Sequence, residues 1–114
     1  MAICRVLSCS PNLDLAQLRA AVLRSADCDV IVPVSEEDAL RLMQGHSFDV
    51  LLICYDYSEQ AGKEICDAFK KSNPKGRIIV LRKSHRDPSC HDEAKEVLHA
   101  LDGPGALIRA VIAA

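Results

Sequence analysis

Aromatic residues make up only 4% of this 114-residue chain and Trp is absent, so a platform for stacking nucleobases is not expected. Charge is nearly balanced, with a formal net charge of -2, which leaves no global pull toward nucleic acid or an anionic membrane surface. No apolar run approaches the ~20 residues that a membrane-spanning helix requires. The opening MAICRVLSCSPN has neither the apolar core nor the cleavage site of a signal peptide, so a cytoplasmic location is expected. There is no CxxC among the six cysteines Cys4, Cys9, Cys28, Cys54, Cys66 and Cys90. Without a secretory signal they read as thiols rather than as a disulfide framework. Four of them lie in apolar segments, where a reduced Cys behaves as a small buried hydrophobe. Internal repeats, low-complexity tracts and interdomain linkers are also missing, so residues 1–114 are expected to form one domain without an attached output domain.

A chain of this length buries roughly two thirds of the surface it exposes when unfolded. Its organising stretch is Ser47 to Cys66, SFDVLLICYDYSEQAGKEIC. The unbroken apolar run Val50 to Cys54 suits a strand covered on both faces, as in the middle of a parallel sheet. Beyond it Tyr55 and Asp56 open a polar loop, and a helix is expected to restart near Gly62. Upstream, Cys4 to Cys9 reads as a first strand, and Ser10-Pro11 as the N-cap and first position of a helix. That helix, Leu13 to Ser25, is expected to bury Leu15, Leu18 and Val22. Cys28 to Val34 reads as a second strand, with Pro33 pointing to a sheet edge. Ser35 to Asp38 resembles a capping box that opens a helix through Met43, ended by Gly45.

Downstream, a helix with Ile65 and Phe69 on one face leads to the turn Asn73-Pro74-Lys75-Gly76. Arg77 to Leu81 is a fourth bare apolar strand, and Arg82 to His91 is polar and irregular. Ala94, Val97, Leu98 and Leu101 are spaced for a helix, whereas Val97-Leu98-His99 reads equally as a fifth strand. The βα alternation upstream favours the strand. Asp102-Gly103-Pro104 then opens a last helix. Strands separated by helices of about ten residues imply right-handed βαβ units and a doubly wound parallel sheet. In such sheets ligands and chemistry gather at the carboxyl ends of the strands.

Phe48-Asp49-Val50-Leu51-Leu52-Ile53, followed by Gly62, Glu64 and Ile65, resembles the third strand and following helix of response regulator receiver domains (CheY-like). The resemblance spans nearly the whole chain and is strongest from Cys4 to Ile65. It implies a flavodoxin-like three-layer αβα sandwich with a five-stranded parallel sheet of order 2-1-3-4-5. Receivers transfer a phosphoryl group to an Asp at the end of the third strand, beside a magnesium ion held by an acid pair at the end of the first. Here the acceptor position is Cys54, and the acid pair aligns with Ser8 and Cys9. A hydroxyl and a soft thiol do not replace hard carboxylate ligands. The family's switch hydroxyl aligns with Arg82, and its Lys falls near Ala100 or Leu101. With all of these positions replaced, the resemblance implies a degenerate receiver, or pseudo-receiver, with no catalytic residue, metal or cofactor.

Other chemistry is weighed on the same residues. Asp56 is the acid left near the mouth and is a candidate displaced phosphoacceptor. Cys9 and Cys54, ending neighbouring strands, are a candidate redox pair or soft-metal site if their thiols approach and are activated. A Cys-based phosphate loop at Cys9 is excluded, because Ser10 to Leu15 offers neither glycines nor an Arg six residues after Cys9, and Asp14 would repel the anion. His85, Cys90, His91 and His99 match no zinc spacing. Lys70, Lys71, Lys75, Arg77, Arg82, Lys83 and Arg86 form a basic run in which Arg82 stands nearest the mouth. In receivers the output and dimer surface is the face of the fourth helix, fifth strand and fifth helix. The expected function is therefore phosphorylation-independent binding of a protein partner, or of a second copy, through residues 82–113.

Overall fold

The computed structural model describes residues 4–54, 57–82, 96–99 and 103–112. The elements in chain order are β1 (Arg5–Cys9), α1 (Leu13–Arg24), β2 (Asp29–Ile31), α2 (Glu36–Gly45), β3 (Val50–Cys54), α3 (Glu59–Ser72), β4 (Arg77–Arg82), β5 (Glu96–His99) and α4 (Gly103–Ile112). The strands pair in parallel in the order β2-β1-β3-β4-β5. Helices cover both faces, giving the flavodoxin-like α/β architecture expected from the alternation of apolar runs with helical segments.

The pleat divides the core in two. Val6, Val50, Leu52, Ile79 and Leu81 face one way, packing with Ala20 and Leu23 of α1 and with Leu107 and Val111 of α4. Leu7, Cys9, Leu51, Ile53 and Ile78 face the other, against Ala39 and Met43 of α2 and Ile65, Cys66 and Phe69 of α3. All five residues of β3 are buried, as its unbroken apolar run predicts for a strand between two helical layers.

Several local expectations are corrected. Helix α1 is capped by Asn12, whose side chain accepts from Leu15 N–H at 3.3 Å, and not by Ser10, whose hydroxyl instead accepts from Asn12 N–H at 3.1 Å. Its buried face is Ala16, Ala20 and Leu23, while Leu18 is 62% exposed. Two alanines and Leu23 face the core, and Leu18 lies on the outside. The helix ends in a Schellman motif: Cys28 N–H donates to Leu23 O at 3.1 Å and Asp27 N–H to Arg24 O at 3.0 Å. Asp27 adopts the left-handed φ of 66° that this motif requires.

Strand β2 spans three residues rather than seven, and it lies at the sheet edge, with Pro33 beyond its end. Gly45 is the last residue of α2 rather than its terminator, and His46 caps the helix. Helix α3 starts at Glu59, three residues before Gly62, because Ser58 Oγ accepts from Ala61 N–H at 3.1 Å and caps it. The turn after it is as expected, closed by Gly76 N–H donating to Asn73 O at 2.8 Å. Asn73 also ties this turn to the entry of β3, its Oδ1 accepting from Phe48 N–H at 2.9 Å.

Candidate functional site

The candidate site is the carboxyl edge of β1, β3 and β4. Register fixes what can meet there. Cys9 lies opposite Ile53, Cys54 opposite Leu81, and Arg82 opposite His99. Partners across a parallel pair share a face, and successive residues alternate. Cys9 therefore shares the face of Ile53, towards α2 and α3, and Cys54 shares that of Leu81, towards α1 and α4. The two thiols point to opposite sides of the sheet, so the expected Cys9–Cys54 pair is not formed. The neighbour of Cys9 is Cys66, on α3. Sequence reading missed it because a contact between layers leaves no trace in local spacing.

The residues at the expected acid positions are engaged in packing. Ser8 is buried, and its hydroxyl donates to the Ala16 carbonyl of α1 at 3.4 Å. Cys9 is 2% exposed. Burial, with Cys66 adding to it, holds its thiol far above the ordinary value and therefore protonated. Cys54 is also buried. Cys4, Cys9, Cys28 and Cys54 are free thiols. Tyr57, which the sequence reading passed over, is half-buried against the α2–α3 side of the core. Its phenol is pushed well up, first by burial and then by the proximity of Cys9, Cys54 and Glu36. The ring thus lies near the ends of β1 and β3, on the α2–α3 side. Its position in the polar loop three residues after Cys54 was the only signal available.

Asp56, Ala100, Leu101, His85, Cys90 and His91 lie outside the described residues, as do their expected roles. Arg82 and His99 are placed by register at the end of β4 and β5. Among the described residues, no group of three or more His, Cys, Asp or Glu could hold a metal ion. A magnesium ion prefers anionic oxygens in an octahedral array. Ser8, committed to a carbonyl, and the buried thiols of Cys9 and Cys54 do not fit that ion.

The fold is that of CheY-like response regulator receiver domains. The Vibrio cholerae chemotaxis protein CheY4 superposes with a TM-score of 0.80 at 20% identity, over 96% of this chain and 96% of that one. The receiver domain of the sensor histidine kinase PA1611 from Pseudomonas aeruginosa, with a magnesium ion coordinated in its active site cleft, gives 0.77 at 17% identity over 96% and 95%. The receiver domain of Ssk1 from Saccharomyces cerevisiae, crystallised with the histidine phosphotransfer signaling protein Ypd1, gives 0.74 at 16% identity over 96% and 86%. No protein-family model matches the sequence, and no curated protein matches it. At these identities the likeness is one of fold.

Proposed function

We propose that this chain is a degenerate receiver, a non-enzymatic cytoplasmic module of two-component signalling that binds a protein partner without regulation by aspartyl phosphate. The observation that carries this reading is the packed state of Ser8, Cys9 and Cys54. Where the fold would place a magnesium cleft, a hydroxyl is bonded to a helix carbonyl and two thiols are buried. Phosphoryl transfer depends on positioning and charge neutralisation by the metal, and the means for both are absent from these three residues.

The receiver fold supports partner binding as the remaining role. The Ssk1 receiver domain is seen in complex with a phosphotransfer protein, and residues 82–113 of this chain correspond to the usual output face. The partner is a signalling protein docking there, or a second copy of the chain. The receiver fold does not itself imply catalysis.

The test is intact mass after incubation with acetyl phosphate and Mg²⁺, with an ordinary receiver as positive control. No adduct is expected on this chain. A phosphoryl adduct mapped to Asp56 or Cys54 would overturn the reading and make the chain a working receiver with a displaced acceptor.

A further inference from the structure

At the amino edge of the sheet, far from the candidate site, two cysteines stand side by side. The β1·β2 pairing begins with Arg5 opposite Asp29. One residue earlier, Asp29 N–H donates to the Cys4 carbonyl at 2.9 Å, which puts Cys4 and Cys28 in register. Both belong to the face of Val6 and Val30, packed in the same core cluster. Their thiols are close enough to act on each other electrostatically. Cys4 is half-buried and Cys28 buried, so Cys4 is the more accessible of the two. The Schellman bond from Cys28 N–H to Leu23 O holds the buried partner in place.

We propose that Cys4 and Cys28 form a reversible disulfide that joins β1 to β2, with a peroxide as the oxidant. Neighbouring strands lie about 4.8 Å apart, inside the Cα separation of roughly 4.4–6.8 Å that a disulfide accepts. Both residues sit one position outside their strands, and β2 is a short edge strand, so the two sulfurs can close on each other without disturbing the ladder. In the first step the Cys4 thiol is oxidised to a sulfenic acid, while peroxide is reduced and one water leaves. In the second the Cys28 sulfur attacks the sulfenyl sulfur, the S–S bond forms, and the hydroxyl departs as a second water. A dithiol reductant reverses the sequence.

The consequence reaches α4. The Cys4 thiol donates to the Val111 carbonyl in the last turn of that helix, at 3.9 Å. A disulfide removes the S–H, so the oxidised chain loses this link between β1 and α4. The other close thiol pair, Cys9 and Cys66, is sealed in the core and is not a competing site for peroxide. The proposal stands apart from the receiver reading, since it uses neither the carboxyl edge nor a partner.

Burial, helped by Cys28 and Asp49, pushes the Cys4 thiol up to about 11. Since the thiolate is the reactive form, oxidation should speed up about tenfold between pH 7 and pH 8. The experiment treats the purified chain with hydrogen peroxide, blocks free thiols with N-ethylmaleimide, and reads intact mass and proteolytic peptides. The expected result is a mass lower by two hydrogens before blocking, with a linked peptide joining Cys4 and Cys28 that dithiothreitol releases. Cys28→Ser should abolish the link and leave a dimedone-reactive sulfenic acid at Cys4, while Cys54→Ser should leave the link intact. Full alkylation of Cys4 after peroxide, or a linked peptide from another pair in the unsubstituted chain, would overturn the proposal.

Discussion

Arg77, the first residue of β4, grips the last turn of α4 with both terminal nitrogens. Nη1 donates to the Val111 carbonyl at 3.1 Å and Nη2 to the Ala110 carbonyl at 2.6 Å. Carbonyls in the last turn of a helix generally lack intrahelical partners, and a cation is favoured at that end of the macrodipole. Arg77→Ala should lower stability by roughly 2–4 kcal/mol, as two charge-assisted bonds are lost. Arg77→Lys should recover less than half of that, because a point charge does not span two carbonyls as the guanidinium fork does. Urea denaturation measures both, and full recovery by Lys would show that charge alone matters.

Gly76 is held to glycine by contact. A Cβ there would stand 2.6 Å from Phe69 Cε2 and 2.7 Å from Cζ. Phe69 is fully buried, so its ring has nowhere to swing. Gly76→Ala should cost about 1–3 kcal/mol through overpacking. Adding Phe69→Leu should rescue part of that loss, a coupling that a double-mutant cycle reads directly.

The two faces of α1 should respond in opposite ways. Leu18→Gln, on the exposed side, should change stability by no more than about 0.5 kcal/mol. Ala20→Leu should cost roughly 1–3 kcal/mol, because Ala20 has no exposed surface and lies against Val6 and Val30. Thermal melts of the two variants distinguish this face from the one suggested by the leucine spacing.

Asp38 gives the stability a titrating component on the acid side. Its carboxylate accepts from Val34 N–H at 3.0 Å and pairs with Arg41, while its own N–H is capped by Ser35 Oγ at 3.0 Å. The Val34 bond first, and Arg41 after it, hold its carboxyl below the ordinary value. A depressed folded value means that the contribution is present in full above about pH 4. It is lost as pH falls through the folded value. The stability gap between the unsubstituted chain and Asp38→Asn should therefore be open at neutral pH and close on acidification. A gap that does not vary with pH would remove the carboxylate from the account.

The layered fold was legible where burial is complete on both sides. Val50 to Cys54 and Arg77 to Leu81 could be little else than inner strands, and their order follows from short right-handed connections. The caps were half legible, since Ser10 and Asn12 are both good capping residues and only the backbone decides between them. The face of α1 was read in part: Val22 packs against the core, but Leu18 is exposed and the buried positions are Ala16, Ala20 and Leu23. At the site, the absence of carboxylates at Ser8, Cys9 and Cys54 was written in the sequence. That Cys9 turns to Cys66 and away from Cys54 was not, since strand parity becomes informative only once the register is known. The Cys4–Cys28 pair needed the same register.

Tyr57 and the buried ends of β1 and β3 change what this edge of the molecule can respond to. A cleft lined with acids is under electrostatic tension, and its shape follows the cations that relieve it. Here the strand ends at Ser8, Cys9 and Cys54 are held by contact, as a sewn seam is, and these three side chains have no charge to balance. Those three side chains offer a divalent ion no carboxylate to hold.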